Sequence, residues 1–384
     1  MRVTDSAAAA AEALRRGGLA VLPTETVYGL GALADDPAAV ARVYAVKGRP
    51  ADHPLIVHLA SAAGLTVWGR AVPAYAEALA HTLWPGPLTL VVRRSSRVGD
   101  AVTGGQDTVG LRVPAHPGAL EVLRLLDESD PGRAPHGVAA PSANRFGRVS
   151  PTTVGHVLDE LGGLLDPDLD VVLEGGPCTV GVESTIVDCT GERPRILRPG
   201  AVSAAQIERV GGVPVRVGGV PGGGPGEGPD GGEGSQARRA RDADDIRAPG
   251  MLASHYAPNA RVIVVAAPGD LAQALHNHSR GESGPIPRPR GDEGPIMSPL
   301  PPRSPDVPRV TTGLLATADI PTPDGVVRLA MPADARAYAR VLYAALREAD
   351  AVQLDTVVAV LPAAGSDGAA EAVADRLRRA ATQS

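Results

Sequence analysis

Three observations predict an α/β protein built as two domains. Short apolar runs alternate with capped helical segments along most of the chain. At 384 residues the chain is long enough for more than one core. Composition also breaks sharply at Gly218, where a tract running to Gly234 is nearly all Gly, Pro, Glu and Asp and cannot form a core. The boundaries that follow are a first domain at 1–210, a Gly/Pro-rich linker at 211–258 and a second domain at 259–384.

The first domain opens on a helix over 7–16, stopped by Gly17-Gly18. Residues 19–22 form a buried strand that runs into Pro23-Thr24-Glu25-Thr26-Val27-Tyr28-Gly29. Hydroxyls, a carboxylate, a phenol and a glycine directly after a strand are the composition of a site at the carboxyl edge of a sheet. Asp36-Pro37 starts a helix, with the aspartate as cap and the proline in the first turn. That helix carries Val40, Val43 and Val46 and delivers Lys47-Gly48-Arg49-Pro50 at its far end, a cationic cluster suited to an anionic substrate.

Lys47 is the only lysine in the chain. A compact ammonium enters a tight phosphate or carboxylate pocket that a planar guanidinium does not fit. The alternative is that it only complements the dipole at a helix end. Residues 54–59 form the next strand, in which His58 reads as packing; His53, beside the cationic cluster, has the better claim to chemistry.

A helix over 72–83 ends in the rigid turn Trp84-Pro85-Gly86-Pro87, followed by a strand at 88–93. The strand at 108–113 ends in Arg112-Val113-Pro114, and alternation sets Arg112 on the opposite face from Leu111 and Val113. A helix follows at 120–126. A short strand at 137–140 runs into Pro141-Ser142-Ala143-Asn144, small polar residues that either contact a ligand or only make a turn. Ser150-Pro151 reads as a helix start. Strands follow at 171–173, 183–188 and 195–197, the last leading to Arg198-Pro199-Gly200, and Ser203 opens a helix with a capping-box pattern.

At the end of the linker, Met251, Leu252, His255 and Tyr256 stand out from the Gly/Pro-rich composition before them. They serve either as a lid or as the docking start of the second domain. The second domain reads as strands at 262–266, 326–329 and 356–361 with helices at 271–276, 333–349 and 369–380, a small open α/β unit. Residues 280–308 form a Pro/Gly/Ser-rich insertion. This half shows no catalytic spacing, dinucleotide fingerprint or phosphate-binding loop.

Composition narrows the function. Net charge is −6, which argues against broad wrapping of nucleic acid, and aromatic residues make up 2%, which weakens a base-stacking platform. The two cysteines, Cys178 and Cys189, suggest neither a disulfide framework nor a metal site. There is no recognisable signal peptide and no stretch of membrane-spanning length, so a cytoplasmic protein is expected.

Taken together, residues 23–30, Lys47-Gly48-Arg49-Pro50, Trp84-Pro85-Gly86-Pro87-Leu88-Thr89, Arg112-Val113-Pro114-Ala115-His116, Pro141-Ser142-Ala143-Asn144, Gly181-Val182-Glu183-Ser184-Thr185 and Arg198-Pro199-Gly200 resemble the threonylcarbamoyl-AMP synthase family, the Sua5/YrdC proteins. His255-Tyr256-Ala257-Pro258 and a second α/β unit resemble its long, two-domain form. The resemblance implies a YrdC-like twisted mixed sheet with flanking helices around a concave site, plus a smaller Rossmann-like α/β domain. It also implies a reaction in which L-threonine, bicarbonate and ATP give L-threonylcarbamoyladenylate and pyrophosphate. The product would pass to the tRNA threonylcarbamoyl-transfer machinery for N6-threonylcarbamoyladenosine (t6A37) formation.

On that resemblance Lys47 and Arg49 are the catalytic candidates. Together with Ser142, Asn144 and Arg198 they would bind ATP and the adenylate. Thr24, Tyr28, His53, Arg112 and Ser184 would bind threonine and the carbamate, and His255 and Tyr256 would form a lid. Magnesium would accompany the nucleotide with no protein-borne metal ligand expected, and weak tRNA binding is compatible. Two other readings stay open. One is a YrdC-like carbamoyl-adenylate enzyme of another pathway, as in hydrogenase maturation, although the acylphosphatase-like part and zinc-binding cysteine repeats of those proteins are missing. The other is a non-catalytic double-stranded RNA or tRNA-binding module.

Overall fold

The computed structural model describes residues 2–129, 135–217, 246–250, 256–279, 311–365 and 367–382. The tracts at 218–245 and 280–310 and the expected lid residues Met251, Leu252 and His255 lie outside the described residues.

The first unit is built on twelve strands: β1 (Arg2–Thr4), β2 (Ala20–Leu22), β3 (Gly29–Leu33), β4 (Ile56–His58), β5 (Gly69–Arg70), β6 (Leu88–Arg94), β7 (Thr108–Arg112), β8 (Val138–Ala139), β9 (Val171–Leu173), β10 (Thr185–Asp188), β11 (Arg195–Arg198) and β12 (Arg216–Val217). They form one sheet in the order β1-β9-β2-β3-β8-β4-β7-β6-β10-β11-β12, with β5 paired to β6. The sheet is mixed: β4 runs parallel to β7 and antiparallel to β8, and β6 runs parallel to β10 and antiparallel to β7. Its main core is largely aliphatic, as the scarcity of aromatics requires, with Tyr28, Tyr44, Trp68, Tyr75 and Trp84 as the exceptions.

The second unit is a four-stranded parallel sheet of β13 (Arg261–Val265), β14 (Thr312–Leu315), β15 (Val327–Ala330) and β16 (Thr356–Val360), in the order β13-β16-β14-β15. Helices Leu271–Ser279, Ala335–Ala351 and Ala369–Ala381 flank it. The fold is thus the mixed sheet plus small open α/β unit that the sequence predicts. Five strands were not anticipated. β1, β5 and β12 are only two or three residues long, β3 hides in a glycine-rich stretch that lacks the usual strand formers, and β14 is only four residues long. The helix expected at Ser150-Pro151 instead begins at Val154, capped by Thr153. Ser150 is free for another task because its hydroxyl donates to Glu183 (2.7 Å).

The two units share a core. Val27, Val149 and Val182 of the first pack in one cluster with Tyr256 and with Tyr338, Leu342 and Tyr343 of helix Ala335–Ala351. Polar contacts reinforce it: Arg347 donates to the Val149 carbonyl and pairs with Glu160 (3.2 Å), and Arg148 donates to Asn259 (2.8 Å). Residues 246–250 lie across the first unit. Arg247 pairs with Asp52 (3.1 Å), its backbone exchanges two hydrogen bonds with Gln106, and Ala248 is buried against Ile56, Val91 and Ile186.

Candidate functional site

The fold brings six loop or strand ends to one cavity. The turn after β2 supplies Thr24 and Thr26; β4 and β7 supply His58 and Arg112 as register partners; the turn after β8 supplies Ser142; and the ends of β10 and β11 supply Ser184 and Arg198. Arg49, Glu183, Pro249, Gly250 and Tyr256 complete the wall. The cavity they line is about 550 Å³, part of it open to solvent, with Pro249, Gly250 and Tyr256 on its wall.

Three guanidinium groups face this cavity. Arg112 is fixed in direction: it donates to Glu25 (2.6 Å), to the Thr26 hydroxyl (3.0 Å) and to the Gly86 carbonyl (3.2 Å). Arg49 donates to the Pro54 carbonyl (2.9 Å) and sits over the Phe146 ring. Arg198 donates to the Ser184 carbonyl and hydroxyl and to the Pro249 carbonyl (2.9 Å). Burial pulls Arg49 down to about 10 and depresses Arg198 as well. Neither Arg49 nor Arg198 is in a direct ion pair among the described residues. Arg49 is held by neutral acceptors, while Glu183 acts on Arg198 through space but is itself bonded to Arg376, Ser150 and Tyr343; buried cations so placed favour an anion beside them.

The hydroxyls are equally ordered. Thr24 donates to the Val27 carbonyl (2.6 Å) and lies 2.9 Å from Thr26, closing the turn after β2. Ser184 shares a 2.7 Å hydrogen bond with Thr89. Ser142 lies on the wall, its backbone bridged to Gly29.

Several expected residues stand elsewhere. Tyr28 does not line the cavity. It is fully buried in the main core, and its hydroxyl donates to the Gly176 carbonyl (2.8 Å). The reason is alternation: Gly29, the first residue of β3, faces the cavity, so its neighbour faces away. His53 also lies off the wall. Its ring meets Phe146 edge-on (5.3 Å), and its backbone carbonyl receives Tyr44 and Arg49, so it supports Arg49 rather than the cavity.

Lys47 is buried behind the wall. Its ammonium donates to the Ser142 carbonyl (2.6 Å) and to the Asn144 carbonyl, bracing the turn that carries Ser142. Burial first, and Arg49 second, push Lys47 well below its ordinary range. Asn144 spends its amide nitrogen on the carbonyls of Arg145 and Arg148, leaving Oδ1 without a partner among the described residues.

Two titratable wall residues escaped the sequence reading, as did the Thr26 hydroxyl. His58 is buried and held down at about 3, by burial first and by Arg112 second, so it is a neutral imidazole. The signal was present: Ile56 and His58 alternate onto one face of β4, the face that Arg112 occupies on the paired strand. Glu183 is the other. Burial alone would raise it, but Arg376, Arg198 and the hydroxyls of Ser150 and Tyr343 hold it down at about 2. Two of its partners, Tyr343 and Arg376, lie more than 150 residues away in sequence, so no local pattern reveals how it is held. Among the described residues no group of three or more His, Cys, Asp or Glu could hold a metal ion, and no helix is long and apolar enough to cross a membrane.

A cation-lined cavity at the strand ends of a mixed sheet suits an α/β enzyme acting on an anionic substrate. Comparison with known proteins specifies the family. The Sua5/YciO/YrdC family model, described as "Telomere recombination", matches residues 12–200, and the one described as "Threonylcarbamoyl-AMP synthase, C-terminal domain" matches residues 202–382. The threonylcarbamoyl-AMP synthase of Pyrococcus abyssi is 42% identical over 261 residues, covering 68% of each chain, and that of Bacillus subtilis is 37% identical over 276 residues, covering 71% of each. The crystal structure of P. abyssi Sua5 complexed with L-threonine matches with a TM-score of 0.72 at 34% identity, covering 97% of this chain and 93% of that one. This chain belongs to the Sua5/YrdC family of threonylcarbamoyl-AMP synthases, in its long, two-domain form.

Proposed function

We infer that the chain is an L-threonylcarbamoyladenylate synthase, a nucleotidyltransferase that converts L-threonine, bicarbonate and ATP to threonylcarbamoyl-AMP and pyrophosphate for t6A biosynthesis. The observation that carries this reading is the pair of buried guanidiniums, Arg49 and Arg198, on one cavity wall, neither of them in a direct ion pair among the described residues. In the reaction bicarbonate takes up a proton and loses water to give carbon dioxide, and the neutral threonine amine adds to that carbon and releases a proton, giving a carbamate. A carbamate oxygen then attacks the α-phosphorus of ATP and pyrophosphate leaves. Charge grows on the phosphoryl oxygens and the leaving group, so preorganised cations in a water-poor cavity are the main catalytic resource.

We assign Arg49 and Arg198 to the phosphates, and Arg112, with Thr24, Thr26 and Ser184, to the threonine carboxylate and carbamate. Lys47 and Asn144 act through the 142–148 turn they brace, and Ser142 presents that turn to the nucleotide. His58, neutral and beside Arg112, hydrogen-bonds the amino acid. The cavity-lining carboxylate, Glu183, is already engaged by Ser150, Tyr343 and Arg376, so the wall does not fit a resident metal; magnesium enters as part of the ATP complex. Tyr256, with Pro249 and Gly250, serves as the lid at the end of a linker spanning 211–258, between a catalytic domain at 1–210 and a second domain at 259–384. A cytoplasmic location, transfer of the product to the tRNA-modifying machinery and weak contact with tRNA complete the reading.

The test is ligand dependence. Pyrophosphate release from ATP should require both threonine and bicarbonate. Serine should be the nearest competitor, discriminated by roughly 10–200-fold, the range one methyl group supplies through packing. Comparable release with no amino acid present would contradict the reading.

A further inference from the structure

The helix Ala369–Ala381 belongs to the second unit, yet one of its side chains reaches two wall-bearing segments of the first. Arg376 is fully buried. Its Nε donates to Glu183 Oε2 (2.9 Å), its Nη2 to the Glu183 carbonyl (3.3 Å) and its Nη1 to the Pro199 carbonyl (2.7 Å). The residues next in sequence to those acceptors, Ser184 and Arg198, are on the cavity wall. The same guanidinium lies 5.6 Å over the ring of Tyr256, which stacks on Tyr343 (5.7 Å between centroids). Tyr343 in turn donates to Glu183 Oε2 (2.7 Å). The helix also starts against the first unit: a Cβ added at Gly368 would lie 2.6 Å from the Gly200 carbonyl oxygen.

We propose that Arg376 is a positioning residue for the reaction: it sets the Glu183–Ser184 and Arg198–Gly200 segments and forms one face of the slot that receives Tyr256. The site is then complete only when the second unit is docked, and lid closure and domain docking are read by the same guanidinium. A planar fork suits this task because it donates in several fixed directions while stacking on a ring. Arg376 touches no cavity space itself, so it acts through the residues it holds. The inference rests on the synthase reading given above.

The experiment uses the full chain, with ATP, threonine and bicarbonate. It reads the threonine KM and the ratio of pyrophosphate released to adenylate formed, alongside thermal melting. For the unaltered chain the ratio should be close to one. Arg376→Gln should raise the threonine KM by about tenfold, the scale of one lost oriented contact, and should raise the ratio, because a loosened lid admits water. Arg376→Lys keeps the charge but not the fork and should fall between the two. A folded Arg376→Gln protein with the original KM and ratio overturns the inference, whatever its stability, since a residue that only glues domains together would move melting alone. If Arg376→Gln does not fold, Arg376→Lys decides by the same two readouts, and unchanged values overturn the inference. An unaltered chain that makes no adenylate overturns the synthase reading, and the inference with it.

Discussion

Arg112 Nη2 donates to Glu25 Oε1 across 2.6 Å, tying the arginine at the end of β7 to the carboxylate in the turn after β2. Glu25 Oε2 accepts from the Ala115 backbone, so one carboxylate joins two wall segments. Both side chains are buried, and removing one partner strands the other charge. Glu25→Gln should therefore destabilise the protein by about 3–5 kcal/mol, measured by urea unfolding. A loss of under about 1 kcal/mol, the value of an exposed pair, would show that water reaches Arg112 freely.

Lys47→Arg should lower adenylate formation at least about tenfold with little change in circular dichroism. The slot that holds Lys47 is closed, and a longer planar group would push the Ser142 turn into the cavity. Lys47→Met keeps the volume but leaves the two carbonyls without their donor, at about 1–3 kcal/mol each, so it should also lower the melting temperature. Turnover within about threefold of the original in Lys47→Arg would contradict the bracing role, since an order of magnitude corresponds to ~1.4 kcal/mol.

Gly250→Ala tests the lid from its hinge side. Gly250 has φ +77°, and an added Cβ would lie 2.3 Å from the Tyr256 hydroxyl oxygen. The substitution is strained in backbone and in space, so it should open the cover. Tyr256→Ala removes the cover itself. Both should lower adenylate yield per ATP consumed, while shortening the chain between Gly222 and Gly232 should change it little. Wild-type yield in Tyr256→Ala would reduce the segment to a connector.

His58 gives a pH dependence. The folded chain holds it at about 3 against an ordinary 6.5, so it stays neutral where the unfolded chain protonates it. Its contribution is complete above pH 6.5 and is lost as pH falls through the window between those values, by about 1.4 kcal/mol per unit. His58→Gln should flatten the slope of unfolding free energy against pH between 6.5 and about 5, which lies above the Glu183 window. The same variant should raise the threonine KM. Parallel slopes would mean that His58 is already solvated in the folded state.

The sequence made legible whatever follows from local periodicity. Arg112 was placed by alternation, the helix bearing Lys47 by its cap, and the two-unit division by the composition of the linker. The places of Tyr28 and Lys47 behind the wall were not legible because each depends on an element that local patterning does not display. Without β3 there was no way to tell which face Gly29 takes, and without the Ser142 turn there was no acceptor for the ammonium. Arg376 was out of reach for a different reason. Its meaning lies entirely in contacts with Glu183 and Pro199, made by packing one unit on the other, and nothing adjacent to it in sequence marks it.

The central claim is that this cavity joins carbamoylated threonine to AMP. Mass spectrometry of a reaction of the purified full chain with threonine, bicarbonate and ATP tests it most directly. The expected result is an adenylate bearing carbamoylated threonine, formed in step with pyrophosphate and carrying label from isotopic bicarbonate. An adenylate without that label, or nucleotide cleavage that proceeds equally without threonine, would contradict the account.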